Sequence, residues 1–114
     1  MKICLVDDSK FQIQQITKII KKLGHEVESY SNAVNALENL KANTYDCLIT
    51  DLYMPELNGE ELIKKVKVLH PNMNIIVVSA TFQDSEETKC LELGVKSCLV
   101  KPISLDMIRQ SLEK

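Results

Sequence analysis

The stretch Lys2-Ile3-Cys4-Leu5-Val6-Asp7-Asp8-Ser9 decides the fold: a continuously apolar run that breaks on two adjacent carboxylates. A short apolar run without polar alternation suits a strand covered on both faces, as in a parallel sheet. The same pattern returns along the chain. Strands are expected at 2–6, 26–30, 46–50, 74–79 and 96–100, with Ile75-Ile76-Val77-Val78 the most apolar of the later runs. The second segment, Glu26-Val27-Glu28-Ser29-Tyr30, is more polar and reads as an edge strand.

Helical spacing fills the intervals. Ile13, Ile16, Ile20 and Leu23 step by three and four, and so place one apolar stripe toward a core. Shorter stripes are Val34, Leu37 and Leu40; Leu62, Val66 and Leu69; and Leu105, Ile108 and Leu112. Gly24 and Gly94 stand where C-terminal glycine caps stand. Asn58 with Glu61, and Asp84 with Glu87, have the spacing of a cap residue and its N3 partner. The segment 85–93 is the weakest helix, because Cys90, Leu91 and Leu93 bunch at one end. The expected class is therefore α/β: a (βα)₅ three-layer sandwich with a parallel sheet and helices on both faces.

At 114 residues and 45% hydrophobic content the chain suits one domain, 1–114, with a sizeable core. Fourteen basic and sixteen acidic residues give a net charge of −2, against nonspecific binding to nucleic acid or an anionic membrane. The first apolar run is too short for a signal peptide or a span, so a cytoplasmic protein without membrane insertion is expected. Cysteines 4, 47, 90 and 98 form no C-x-x-C pair. Cys4, Cys47 and Cys98 sit in strand-like runs and read as small buried hydrophobes. His25 and His70 read as solvated loop residues.

In a doubly wound sheet, ligands bind beyond the carboxyl ends of the strands where the winding reverses. That rule names the place to look before any motif does. Strand one runs into Asp7-Asp8, strand three into Asp51, strand four ends at Ser79, and strand five is followed by Lys101. Three carboxylates, a hydroxyl and an ammonium thus share one edge. Two like charges ~4 Å apart cost about 4 kcal/mol at an effective dielectric of ~20, so such a cluster calls for a cation or a shared proton. Hard carboxylate oxygens suit Mg²⁺ or Mn²⁺. A carboxylate beside a metal, a lysine and a hydroxyl is the equipment for phosphoryl transfer.

These residues lie in motifs, Val6-Asp7-Asp8-Ser9, Asp51-Leu52-Tyr53-Met54-Pro55-Glu56-Leu57-Asn58-Gly59, Ser79-Ala80 and Lys101-Pro102, whose order and spacing resemble the receiver domains of two-component response regulators. The resemblance covers essentially the whole chain and implies a flavodoxin-like strand order of 2-1-3-4-5. It implies that Asp51 is the phosphoacceptor, that Asp8 is a direct Mg²⁺ ligand, and that Asp7 holds the metal mainly through water. It implies that Tyr53 contributes a main-chain carbonyl to the metal. Ser79 is then the switch hydroxyl and Lys101 the lysine that pairs with the phosphoryl group. It further implies a sensor histidine kinase or histidine phosphotransfer protein as donor, a commonly cis Lys101–Pro102 bond, and an output surface over roughly 85–114.

One position departs from the family. Where receivers often carry Tyr or Phe, three residues before the lysine, this chain has Cys98, so a ring-gated switch is in doubt. After 105–113 the sequence offers no output module, which fits a stand-alone regulator or a receiver taken from a longer protein. Two enzyme-like or carrier readings fit poorly. A haloacid-dehalogenase-like phosphatase needs a second Asp where Tyr53 stands, and a flavodoxin-like carrier would set its flavin phosphate against Asp7-Asp8. The remaining alternative is a non-phosphorylated receiver-like adaptor or docking module.

Overall fold

The computed structural model describes residues 1–54 and 57–113; Pro55 and Glu56 of the long motif, and Lys114 at the end of the expected output surface, lie outside the described residues. Strands and helices alternate five times: β1 Lys2–Val6, α1 Lys10–Lys22, β2 Glu26–Tyr30, α2 Ala33–Ala42, β3 Cys47–Asp51, α3 Gly59–Leu69, β4 Asn74–Ser79, α4 Asp84–Glu92, β5 Ser97–Val100 and α5 Leu105–Glu113. The sheet is wholly parallel, in the order β2-β1-β3-β4-β5. The winding therefore reverses beside β1, and the crevice it opens lies between the carboxyl ends of β1 and β3.

Successive strand residues supply opposite faces, which is why runs such as Ile75–Val78 are apolar throughout. Ile3, Leu5, Cys47, Ile49, Ile76 and Val78 pack with Ile16 and Ile20 of α1 and Ile108 and Leu112 of α5. On the other face, Cys4, Val6, Leu48, Ile75 and Val77 pack with α2, α3 and Cys90 of α4. Both layers are closed to water at nearly every named position. Edge strand β2 is mostly exposed, as its polarity implies.

Helix ends follow local chemistry. Ser9 caps α1 by accepting from the Gln12 N–H at 3.3 Å, and Asn58 caps α3 by accepting from Glu61 at 2.9 Å. Gly24 and Gly94 take φ of 88° and 95°, the left-handed conformation that ends a helix cheaply only in glycine.

Several expectations need correction, among them the start of β5, which begins at Ser97. The cap of α4 falls one residue early, with the Gln83 N–H donating to Glu86 Oε1 at 2.8 Å, so the Asp84–Glu87 pairing is not the one used. Strand β3 starts at Cys47 and takes in Asp51, because Asp46 turns its side chain to the Lys2 N–H at 2.8 Å. The buried face of α2 runs through Ala33, Ala36, Leu37 and Leu40, leaving Val34 exposed, and α3 buries Ile63 in place of Leu69. His70 is half-buried and bonded to the Leu40 carbonyl at 2.7 Å, and His25 meets the chain's own amino terminus at 3.0 Å.

Cys4, Cys47 and Cys90 are buried free thiols, while Cys98 is half-buried. Burial pushes the thiols of Cys4, Cys47 and Cys98 up to about 12, so they pack as apolar groups and are poor nucleophiles. Helix α4 buries Cys90 alone, in keeping with its weak sequence pattern.

Candidate functional site

Sheet register builds the site. Val6 pairs with Thr50, so the next residues along β1 and β3, Asp7 and Asp51, stand side by side. Ser79 pairs with Val100, so Lys101 follows at the same edge, and its N–H donates to the Ser79 carbonyl at 2.8 Å. Residues 94 and 50 positions apart from Lys101 thus become its neighbours. The ammonium lies 3.1 Å from Asp7 Oδ2 and 3.1 Å from Asp51 Oδ2.

Asp7, Asp8 and Asp51 each offer a carboxylate oxygen, and these oxygens lie within 4.8 Å of one another. Asp7 is 0% exposed, Asp51 is buried and Asp8 faces solvent. Main-chain donors fix two of the acids: the Ser9 N–H reaches Asp7 Oδ1 at 2.9 Å, and the Tyr53 N–H reaches Asp51 Oδ1 at 3.2 Å. The Tyr53 ring is 53% exposed and lines the mouth of the crevice with Asp8, Met54 and Asn58. Ser79 is buried beside the cluster, but its hydroxyl is turned away and donates to the Thr81 carbonyl at 2.8 Å. The Lys101–Pro102 peptide is cis.

One lysine does not neutralise three carboxylates. Burial raises the carboxyls of Asp7 and Asp51 above their ordinary values, and Lys101 offsets only part of this. Burial pulls the Lys101 ammonium down, but Asp51 and Asp7 outweigh it and hold it above its usual value. The residual negative charge, the hard oxygen donors and the exposed Asp8 fit a divalent cation such as Mg²⁺.

The family model for the response regulator receiver domain matches residues 3–113. The chain belongs to that family. Among its relatives, the chemotaxis protein CheY of Thermotoga maritima is 33% identical over 114 residues, covering 99% of this chain and 95% of that protein. The sensor histidine kinase RcsC of Escherichia coli is 33% identical over 112 residues, covering 98% of this chain. The chain spans 12% of that kinase's length. In fold, chemotaxis protein CheY4 of Vibrio cholerae has a TM-score of 0.91 at 24% identity, covering 98% of this chain and 95% of that one. Receivers are phosphoryl-accepting modules of two-component signalling, and they bind Mg²⁺ at an acidic pocket of the kind this receiver carries. No helix among the described residues is long and apolar enough to cross a membrane.

All six residues singled out from the sequence fall at this edge of the receiver. Asp7, Asp51 and Lys101 are in direct contact, Asp8 completes the acidic cluster, and Tyr53 touches Asp51 through its main chain. Ser79 is adjacent yet bonded elsewhere. Sequence reasoning missed the partner of that hydroxyl, the Thr81 carbonyl, and gave no role to Gly59, whose N–H donates to the Leu52 carbonyl at 2.9 Å.

The raised carboxyls fix the sign of a pH effect. A group whose folded pKa exceeds its unfolded value stabilises fully below the unfolded value and loses that contribution as pH rises through the folded one. Metal-free receiver is therefore expected to gain stability from Asp7 and Asp51 as pH falls from neutral toward the raised carboxyl range. Asp7→Asn is expected to raise Tm at neutral pH without metal and to blunt the rise that Mg²⁺ gives the wild type. Thermal melts across pH, with and without Mg²⁺, check this; identical melts for both proteins would contradict it.

Proposed function

We propose that residues 1–114 form one receiver domain in which Asp51 accepts a phosphoryl group, with Mg²⁺ bound by Asp7, Asp8, Asp51 and the main-chain carbonyl of Tyr53. The observation that carries the reading is the convergence of Asp7, Asp8 and Asp51 on one crevice with Lys101 bridging two of them at 3.1 Å. The donor is a phosphohistidine on a sensor histidine kinase or histidine phosphotransfer protein; relatives that are themselves sensor kinases support this class of partner. A carboxylate oxygen of Asp51 attacks phosphorus in line, the P–N bond breaks, and the imidazole leaves with a proton. The product is an acyl phosphate.

Each residue has a physical part in that step. The Ser9 N–H fixes the Asp7 carboxylate, and the Tyr53 N–H aims that of Asp51. Lys101, already between the carboxylates, needs only to follow the charge outward onto an equatorial phosphoryl oxygen. When bound, the metal neutralises the acids and stabilises charge on the transferring group. The Ser79 hydroxyl exchanges the Thr81 carbonyl for a phosphoryl oxygen, and the surface change that follows controls a protein partner in the cytoplasm. Phe11, 64% exposed at the start of α1, offers an apolar contact to a docking donor near the crevice.

The test is Mg²⁺-dependent binding of fluoroberyllate, which mimics a phosphoryl group on a carboxylate. Wild-type protein should bind it and Asp51→Asn should not. Absence of binding by the wild type would favour a non-phosphorylated adaptor.

Tyr53 sets the lifetime of the product. Its exposed ring stands over the mouth where attacking water must enter. Tyr53→Ala is expected to shorten the acyl phosphate half-life several-fold, read as the decay of phosphorylated protein after the donor is removed. An unchanged or longer half-life would dismiss this role.

A further inference from the structure

The hydroxyl of Ser79 closes the turn that leaves β4 by holding the Thr81 carbonyl at 2.8 Å. The next residue, Phe82, is half-buried and packs against the core cluster that contains Cys90 of α4 and receives Cys98 from β5. Cys98 lies in register with Val77 on β4 and packs against the same cluster. Gln83, one residue further, begins the cap of α4. Hydroxyl, ring and helix start are therefore consecutive along the chain.

Little else secures α4. It buries one side chain, Cys90. Its ion pair to α3, Lys89 with Glu60 at 2.9 Å, joins side chains 56% and 31% exposed, a setting in which such pairs contribute little. Tyr53 also borders α4, sharing a cleft with Ser85, Glu86, Lys89 and Cys90, but its ring is 53% exposed. Phe82 is the ring that both packs on the core and adjoins the α4 cap in the chain.

We propose that Phe82 is the aromatic element that reports the state of Asp51 to α4. Once Ser79 turns its hydroxyl to a phosphoryl oxygen, the Thr81 carbonyl loses its donor and the turn opens. The Phe82 ring then shifts in its seat against the core cluster, and the start of α4 moves with it. A small displacement suffices because packed side chains occupy discrete arrangements. The ring that β5 lacks at Cys98 is supplied from the β4–α4 connection. The inference rests on the reading of Asp51 as phosphoacceptor.

Phe11 and Phe82 are the two phenylalanines of the chain. Protein grown with 4-fluorophenylalanine gives two ¹⁹F resonances, assigned with Phe82→Leu. With Mg²⁺ and fluoroberyllate, bound-fluoride resonances should appear and the Phe82 signal should shift. As a second readout, Phe82→Ala should still bind fluoroberyllate but lose the change in amide exchange that binding causes across Asp84–Glu92. Bound fluoride with a stationary Phe82 signal, or a Phe82→Ala variant that keeps the exchange change across Asp84–Glu92, would overturn the inference and leave the phosphoacceptor reading intact. Absence of bound-fluoride resonances in the wild type would overturn both.

Discussion

Lys101→Ala is expected to slow phosphoryl acceptance by about 10²–10³-fold, the usual consequence of removing one preorganised charge from a transition state. The ammonium lies 3.1 Å from both Asp7 and Asp51, and its side chain is 15% exposed against partners at 0% and 11%. Few waters are available to replace it. Charge that spreads onto the equatorial oxygens during transfer would lose its nearest protein cation. Removing one partner of a mostly buried ion pair also costs stability, about 3–5 kcal/mol in fully buried cases, unless the orphaned carboxylates take up protons. Mg²⁺ should bind more tightly to the variant, because a competing positive charge has gone. Rates with acetyl phosphate and calorimetric Mg²⁺ titrations check the two halves separately. A wild-type rate together with unchanged Mg²⁺ affinity would remove Lys101 from the site.

Gly59→Ala is expected to destabilise the fold by about 3 kcal/mol, the upper part of the usual range for overpacking. It should also weaken Mg²⁺ binding. A Cβ at Gly59 would meet the Asp51 carbonyl most closely, then Leu52 Cα at 2.7 Å and the Leu52 carbonyl at 2.8 Å. All three atoms are backbone, so no side chain can swing aside. Relief requires the β3–α3 connection to move, and that connection holds Asp51 and the Tyr53 main chain. At a few degrees per kcal/mol, the fall in Tm should be about 10 °C or more. Wild-type melting and Mg²⁺ affinity in the variant would show that the close approach has no consequence.

Much of this site was legible because parallel topology converts sequence order into spatial order. Once apolar runs were read as strands, Asp7, Asp8, Asp51, Ser79 and Lys101 had to share an edge, and the β1–β3 and β4–β5 registers place them there. Residues whose role depends on a few atoms of local geometry were less legible. Asp84 is the better cap residue by type, yet Gln83 takes the position because Glu86 reaches back to its N–H. Val34 completes a helical stripe, but the small Ala33 and Ala36 allow α2 to approach the sheet on a different face. The spacing of Ser79 marks a hydroxyl at the site but not its direction, and in the structure it serves the Thr81 carbonyl. Gly59 is a residue whose importance lies in the atoms it lacks.

The proposed function turns on Asp51 being the residue phosphorylated. The direct measurement is to incubate the protein with acetyl phosphate and Mg²⁺, trap the acyl phosphate by borohydride reduction, and locate the modified residue by peptide mass spectrometry. A single trapped site is expected at Asp51, lost when Mg²⁺ is chelated and absent from Asp51→Asn. A trapped site elsewhere, or none under conditions in which the protein is folded and Mg²⁺ is bound, would contradict it.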